Sequence, residues 1–157
     1  MSEITIREAG LDEMERIADL KRQIHQVHVQ GRPDLFAPFG PMSDFAAHSA
    51  AKNCSLLLAE ANEQVAAYAM IQYVDRPAGP YMNARKFVHV EEFCVDESHQ
   101  RMGVGRRLME ALKHLAREKG YPRIELDVWS FNDGARQFYE AVGMQCFRTF
   151  MEMNVDE

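Results

Sequence analysis

A chain of 157 residues can bury one real hydrophobic core, and its 46% hydrophobic and 27% charged residues are ordinary for a soluble globular domain. The net charge of −6 argues against a nucleic-acid binder, which needs a basic surface to neutralise phosphates. No apolar run approaches the roughly 20 residues that span a bilayer, and the mixed-charge N-terminus is not signal-like, so no membrane role is expected.

Ile4 to Arg7 reads as a short strand. From Leu11 to about Val29, Met14, Ile17, Leu20, Ile24 and Val27 fall on one helical stripe, with Asp12 as the expected N-cap and Gly31-Arg32-Pro33 as the stop. A second helix is expected from Ser43 to about Asn53. Ser55–Glu60 and Gln64–Val74 read as strands joined by the short polar link Ala61-Asn62-Glu63, which predicts an antiparallel hairpin. After a loop rich in Pro and Gly, Phe87–Val95 reads as the next strand. Val104, Leu108, Leu112 and Leu115 mark a helix to Lys119, closed by Gly120. Ile124, Leu126 and Val128 alternate with Glu125 and Asp127, which predicts a strand over Arg123–Trp129. Ala135, Phe138, Tyr139 and Val142 form a short helical stripe, and a final strand is expected over Gln145–Val155. This order predicts a mixed α/β fold in one domain, residues 1–157.

The strand ending at Val95 and the helix starting at Val104 are joined through Gln100-Arg101-Met102-Gly103-Val104-Gly105. Two glycines at a strand-to-helix junction let the backbone curl so that successive N–H groups and the helix dipole face one point, and such a corner attracts a phosphate or pyrophosphate. Arg101, Arg106 and Arg107 add positive charge. A P-loop would need Gly-x-x-x-x-Gly-Lys, which is absent, and a dinucleotide fingerprint would need glycine where Leu108 stands.

The spacing instead fits Gln/Arg-x-x-Gly-x-Gly/Ala. Together with Val90-Glu91-Glu92-Phe93-Cys94-Val95 upstream and Asn132-Asp133-Gly134-Ala135-Arg136-Gln137-Phe138-Tyr139-Glu140-Ala141-Val142-Gly143-Met144 downstream, it resembles the GNAT superfamily of acetyl-CoA-dependent N-acetyltransferases. Met144 replaces the usual aromatic, an apolar swap. The resemblance implies a central mixed sheet of six to seven strands flanked by about four helices, with the fourth and fifth strands splayed to admit the pantetheine arm. It implies cofactor contacts from the strand at Phe93, Cys94 and Val95 and from the turn at Gln100, Arg101, Met102, Gly103, Val104, Gly105 and Arg106. Asn132, Ala135, Phe138 and Tyr139 are implied on the last helix. A homodimer is common among such proteins.

Acyl transfer to an amine needs a base, since an aliphatic ammonium of pKa about 10.4 is almost wholly protonated at neutral pH. It also needs donors for the oxyanion, and it gains from an acid for the departing thiolate. Glu91 and Glu92 stand out as carboxylates in an apolar strand, and alternation lets only one face the cofactor unless a bulge intervenes. By resemblance Glu91 is the base and Glu92 the fallback, and both are also readable as salt-bridged edge residues. Tyr139 falls at the family's thiolate-protonating position, although its stripe also gives it a packing role. Asn132 is in addition a good N-cap. Cys94 in an apolar strand, with no histidine at catalytic spacing, reads as inert packing.

Cys54, Cys94 and Cys146 are odd in number and have no metal-type spacing, so no metal is expected and a reducing cytoplasm is the expected setting. His25 and His28 lie one turn apart but lack a third ligand, His89 shares the face of Glu91, and His48, His99 and His114 read as surface or loop residues. Leu35, Phe36 and Phe39 in the proline-rich stretch Gly31–Met42 must pack on something, either sealing the domain or walling the acceptor pocket. The activity these features imply is acetyl transfer from acetyl-CoA to a primary amine of a small molecule or peptide. The alternative is a non-catalytic acyl-CoA-binding module.

Overall fold

In the computed structural model, which describes residues 3–156, the elements follow the order β1 (Ile4–Glu8), α1 (Met14–Gly31), α2 (Ser43–Ser49), β2 (Cys54–Ala61), β3 (Gln64–Arg76), β4 (Arg85–Val95), α3 (Val104–Glu118), β5 (Ile124–Glu125) and α4 (Asp133–Ala141). The five strands form one sheet in chain order. All neighbours are antiparallel except β4 and β5, which run parallel. A parallel pair needs a crossover, and α3 supplies it. The tight link between β2 and β3 follows from Asn62 and Glu63, both at positive φ, which close a two-residue hairpin between Ala61 and Gln64.

Both faces of the sheet are covered. Ile17 and Leu20 of α1 and Phe45 of α2 pack with Leu56, Leu58, Tyr68, Met70 and Cys94 in one core. The alternate residues Ala67, Ala69 and Ile71 of β3 are fully buried too, and α3 packs on β1 to β4 with Val104, Leu108, Met109, Leu112 and Ala116 inward. Helix α1 opens through a 3-10 turn, Leu11–Glu13, so Asp12 is not its cap. Glu13 holds that position, and its carboxylate accepts from the Gly10 N–H at 2.9 Å. Helix α2 stops at Ser49, four residues short of the expected end.

One irregularity positions the chemistry. Met70 pairs with Glu92 and Ile71 with Val90, so Glu91 is an extra residue in β4 with no partner in the register. Such a bulge shifts the phase of alternation. Val88 and Val90 precede it, whereas Glu92 and Cys94 beyond it turn to the face of α1: Glu92 reaches Lys21 and Cys94 reaches the Leu20 carbonyl. Pairing of β4 with β5 covers only Val88 and His89, against Ile124 and Glu125. From Val90 onward that edge of β4 has no sheet neighbour among the described residues.

The chain divides into two compact units, one ending at Asp127 and the other starting at Val128. In the second, α4 carries the expected stripe: Ala135, Phe138, Tyr139 and Val142 are each half-buried and its other residues are exposed. Five strands rather than six to seven make up the sheet, which corrects the expectation on two counts. The fifth strand is two residues long instead of seven, and Gln145–Val155 forms no strand. Alternation makes a segment amphipathic, but only a backbone ladder makes it a strand, and that stretch has none.

Candidate active site

The two adjacent carboxylates of β4 have different surroundings. Glu92 Oε1 accepts from the Tyr68 hydroxyl at 2.7 Å and Oε2 from Lys21 Nζ at 2.7 Å. Burial and the Glu92 charge push the Tyr68 hydroxyl well above its ordinary value, so it stays a donor. Glu92 therefore ties α1 to the sheet with both oxygens engaged. Glu91 Oε1 lies 3.2 Å from His89 Nδ1, and Oε2 lies 3.6 Å from His48 Nε2. No lysine or arginine pairs with Glu91 among the described residues. Of the two, Glu92 is the one bound by a lysine, and Glu91 has only histidine neighbours among its ion-pair contacts. His48, expected on the surface, stands beside it because α2 packs on β2.

Cys94 donates to the Leu20 carbonyl at 3.0 Å, and burial, with the charges of Glu92 and Asp96, pushes its thiol up to about 12. A thiol so far above neutral pH offers almost no thiolate, so an acyl-cysteine step has no nucleophile here. Burial and the Glu91 charge push the Cys54 thiol up as well.

Beyond Val95 the chain enters a buried polar knot. Asp96 accepts from Arg16 at 2.8 Å, Gln23 at 3.0 Å and the Ser98 hydroxyl at 2.9 Å, and its other close neighbour is His99 Nδ1 at 3.2 Å. Arg16 also donates to the Val65 carbonyl, so the knot joins α1, β3 and the end of β4. His99, read as a surface or loop residue, lies in the 3-10 turn Glu97–His99 after β4 and is buried there. Its ion-pair spacing to Asp96, three residues earlier, was the available signal. Burial pushes the Asp96 carboxyl upward, but hydrogen bonds from Gln23, Arg16 and Ser98 outweigh it and hold the group well below the usual carboxylate range. A depressed carboxyl contributes stability that is complete above about pH 4 and is lost as acid protonates the folded state. Asp96→Asn is accordingly expected to lower stability at pH 7 by about 1–3 kcal/mol, and its deficit against the wild type should shrink below about pH 4. Thermal unfolding across pH 7 to pH 2.5 on both proteins checks this.

The knot holds the start of the glycine turn. Arg101 has φ 67° and Gly103 φ 82°, while Met102 between them is not left-handed. Alternating hands of this kind turn successive N–H groups inward. Gly103 is the N-cap of α3, whose first N–H groups lack intrahelical partners. A Cβ built on Gly103 would meet no heavy atom within 4 Å, so the space before the turn is open. Gln100, Arg101 and Arg106 are exposed around it, whereas Val104 and Gly105 are buried under the turn. Arg107 turns away, toward the Ile4 carbonyl at 3.5 Å. Open donors, a helix N-terminus and two nearby guanidiniums fit a pyrophosphate.

In the second unit, Asn132 caps α4 by accepting from the Ala135 N–H at 3.2 Å. Phe138 and Tyr139 follow along the half-buried stripe, their rings in edge contact at 5.5 Å. The proline-rich stretch is pinned to α1. His25 Nε2 lies 2.6 Å from the Ala37 carbonyl, His28 stacks on Phe36 at 5.0 Å, and Arg22 lies over Phe39 at 4.7 Å. His25 and His28 thus serve packing. Among the described residues no group of three or more His, Cys, Asp or Glu could hold a metal ion, and no helix is long and apolar enough to cross a membrane.

The family model for the acetyltransferase (GNAT) family matches residues 15–144. The chain belongs to this family. A point mutant of a Bacillus halodurans protein is 35% identical, with a TM-score of 0.91, covering 96% of this chain and 99% of that one. An aminoglycoside N-acetyltransferase in complex with CoA is 18% identical, with a TM-score of 0.74 over 99% of this chain and 97% of its own, a likeness of fold. The thialysine N-epsilon-acetyltransferase of Caenorhabditis elegans is 35% identical over 57 residues, which span 36% of each chain. The GNAT membership accords with the mixed sheet, the four α-helices and the glycine turn at the N-terminus of α3.

Proposed function

We propose that this GNAT protein is an N-acetyltransferase that moves an acetyl group from acetyl-CoA to a primary amine by direct attack in a ternary complex. The observation that carries the reading is the course of β4. One strand presents a bulged carboxylate, Glu91, then an edge without a sheet neighbour, and leads within eight residues of its end into the left-handed turn at Gly103. The family match across residues 15–144 supports reading both units as one catalytic domain.

The turn Gln100–Gly105 with Arg101 and Arg106 holds the pyrophosphate. The strand β4 beyond its pairing with β5 meets the pantetheine amides much as an added strand would, and a backbone N–H there faces the developing oxyanion. Glu91 takes the proton of the attacking ammonium, directly or through one water. Tyr139 supplies a proton to the departing thiolate, a small demand because a thiol pKa is only about 8.5. Asn132, Ala135 and Phe138 are assigned to cofactor binding on the family resemblance. The names of the thialysine and aminoglycoside relatives support a small-molecule amine as acceptor.

Release of free thiol from acetyl-CoA across a panel of small amines tests the activity. Protection of the fold by acetyl-CoA with no thiol release from any amine would favour a binding module without catalysis. Tyr139→Phe should lower kcat about 10-fold and leave acetyl-CoA affinity unchanged. An equal loss of binding would make the phenol structural.

A further inference from the structure

We propose that His89 is a positioning residue that fixes the carboxylate of Glu91, with His48 standing near its other oxygen, an inference that rests on Glu91 acting as the base. The reason lies in the bulge. A residue opposite no partner in the ladder has no cross-strand neighbour to set its side chain, and a glutamate free to turn about three bonds loses much rotamer freedom when it is held. A base must nevertheless stand within hydrogen-bond reach of the proton it removes. His89 removes that freedom through one oxygen, and His48 stands near the other.

His89 is the primary contact. It precedes Glu91 by two residues on β4, and its Nδ1 lies 3.2 Å from Oε1, close enough to donate. Its other nitrogen, Nε2, lies 3.7 Å from Asp127 Oδ2, beyond hydrogen-bond reach, and the Asp127 side chain is 85% exposed. The shorter of the two separations is the one at Nδ1, so an N–H there is the donor that meets Glu91. His48 comes from another element, α2, with Nε2 at 3.6 Å from Oε2. That gap is too long for a direct bond, so His48 bounds the oxygen without occupying its lone pairs. Oε2 thus stays free to accept from an ammonium or a water, while Oε1 is held. The Cys54 sulfur lies 3.9 Å from the same Nε2 of His48, and burial and the Glu91 charge push its thiol up.

This arrangement differs from that at Glu92, whose two oxygens are consumed by Lys21 and Tyr68. It gives a function to His89, which sequence spacing placed only on the face of Glu91.

The test is a double-mutant cycle with a conservative rescue, read as kcat and as KM for acetyl-CoA in the thiol-release assay. His89→Ala should lower kcat about 10-fold with the acetyl-CoA KM unchanged, the scale on which a misplaced catalytic group is felt. His89→Asn, whose amide N–H replaces Nδ1–H, should recover most of that loss. On a Glu91→Gln background, His89→Ala should change nothing further, because there is no base left to position. Full activity of His89→Ala, failure of the asparagine rescue, or losses that multiply across the cycle would each overturn the positioning role while leaving Glu91 in place. Wild-type kcat in Glu91→Gln alone would remove the base assignment, and the positioning role with it.

Discussion

Replacing Glu91 by Gln is expected to lower kcat about 100- to 1,000-fold while acetyl-CoA binding is unchanged. The amide keeps the size of the side chain and its contact with His89 but cannot take a proton. An aliphatic amine of pKa about 10.4 offers roughly one free base per thousand molecules near pH 7.4, so losing the base removes most productive encounters. The adjacent replacement, Glu92→Gln, should read out differently. Its carboxylate receives the Lys21 ammonium and the buried Tyr68 hydroxyl, so neutralising it weakens a partly buried ion pair that joins α1 to β4 and a hydrogen bond from β3. The expected cost is about 1–3 kcal/mol of stability with a much smaller fall in kcat. Steady-state kinetics, calorimetry with acetyl-CoA and thermal unfolding on the two variants separate these outcomes. If Glu92→Gln lost activity and Glu91→Gln kept it, the roles given to the two residues would be reversed.

The contrast between neighbouring carboxylates was not legible in the sequence, for a specific reason. Val88, Val90, Glu92 and Cys94 keep a period of two through the bulge, and β4 is buried on both faces, so nothing in the pattern marks where the phase changes. The mark lies in the partner strand, at Met70 and Ile71. The contacts that distinguish Glu92 are also distant, Tyr68 by 24 residues and Lys21 by 71. Local features fared better. The Asn132 cap, the inward stripe of α3 and the corner at Gly103 are each written within a few residues, and each stands where the spacing puts it. Two strand expectations failed, Arg123–Trp129 at full length and Gln145–Val155, and the first of them had the right alternation. What they lacked was a ladder partner, and a single segment cannot encode one. His99 was misjudged because its burial follows from the Asp96 knot, whose other members lie on α1.

Gly103→Val is expected to weaken binding of acetyl-CoA by about 10- to 100-fold, or about 1.4–2.8 kcal/mol, and to cost stability as well. Two separate effects meet at this position. With φ at 82° the backbone is left-handed, where an L-residue costs roughly 1–2 kcal/mol and a β-branched one more. The side chain itself meets no protein atom within 4 Å, so its crowding would fall on whatever enters the open space before the turn. Gly103→Asn separates the two, because asparagine tolerates the left-handed region yet still places a side chain there. The asparagine variant should therefore keep most of the thermal stability and still lose affinity, whereas the valine variant loses both. Calorimetric titration with coenzyme A, beside thermal unfolding without it, supplies both readings. Affinity lost in valine but retained in asparagine would show that backbone strain alone was responsible and would remove the phosphate from the space in front of Gly103. Affinity lost in both, with stability lost only in valine, is the pattern that a cradle of main-chain N–H groups at the mouth of α3 requires.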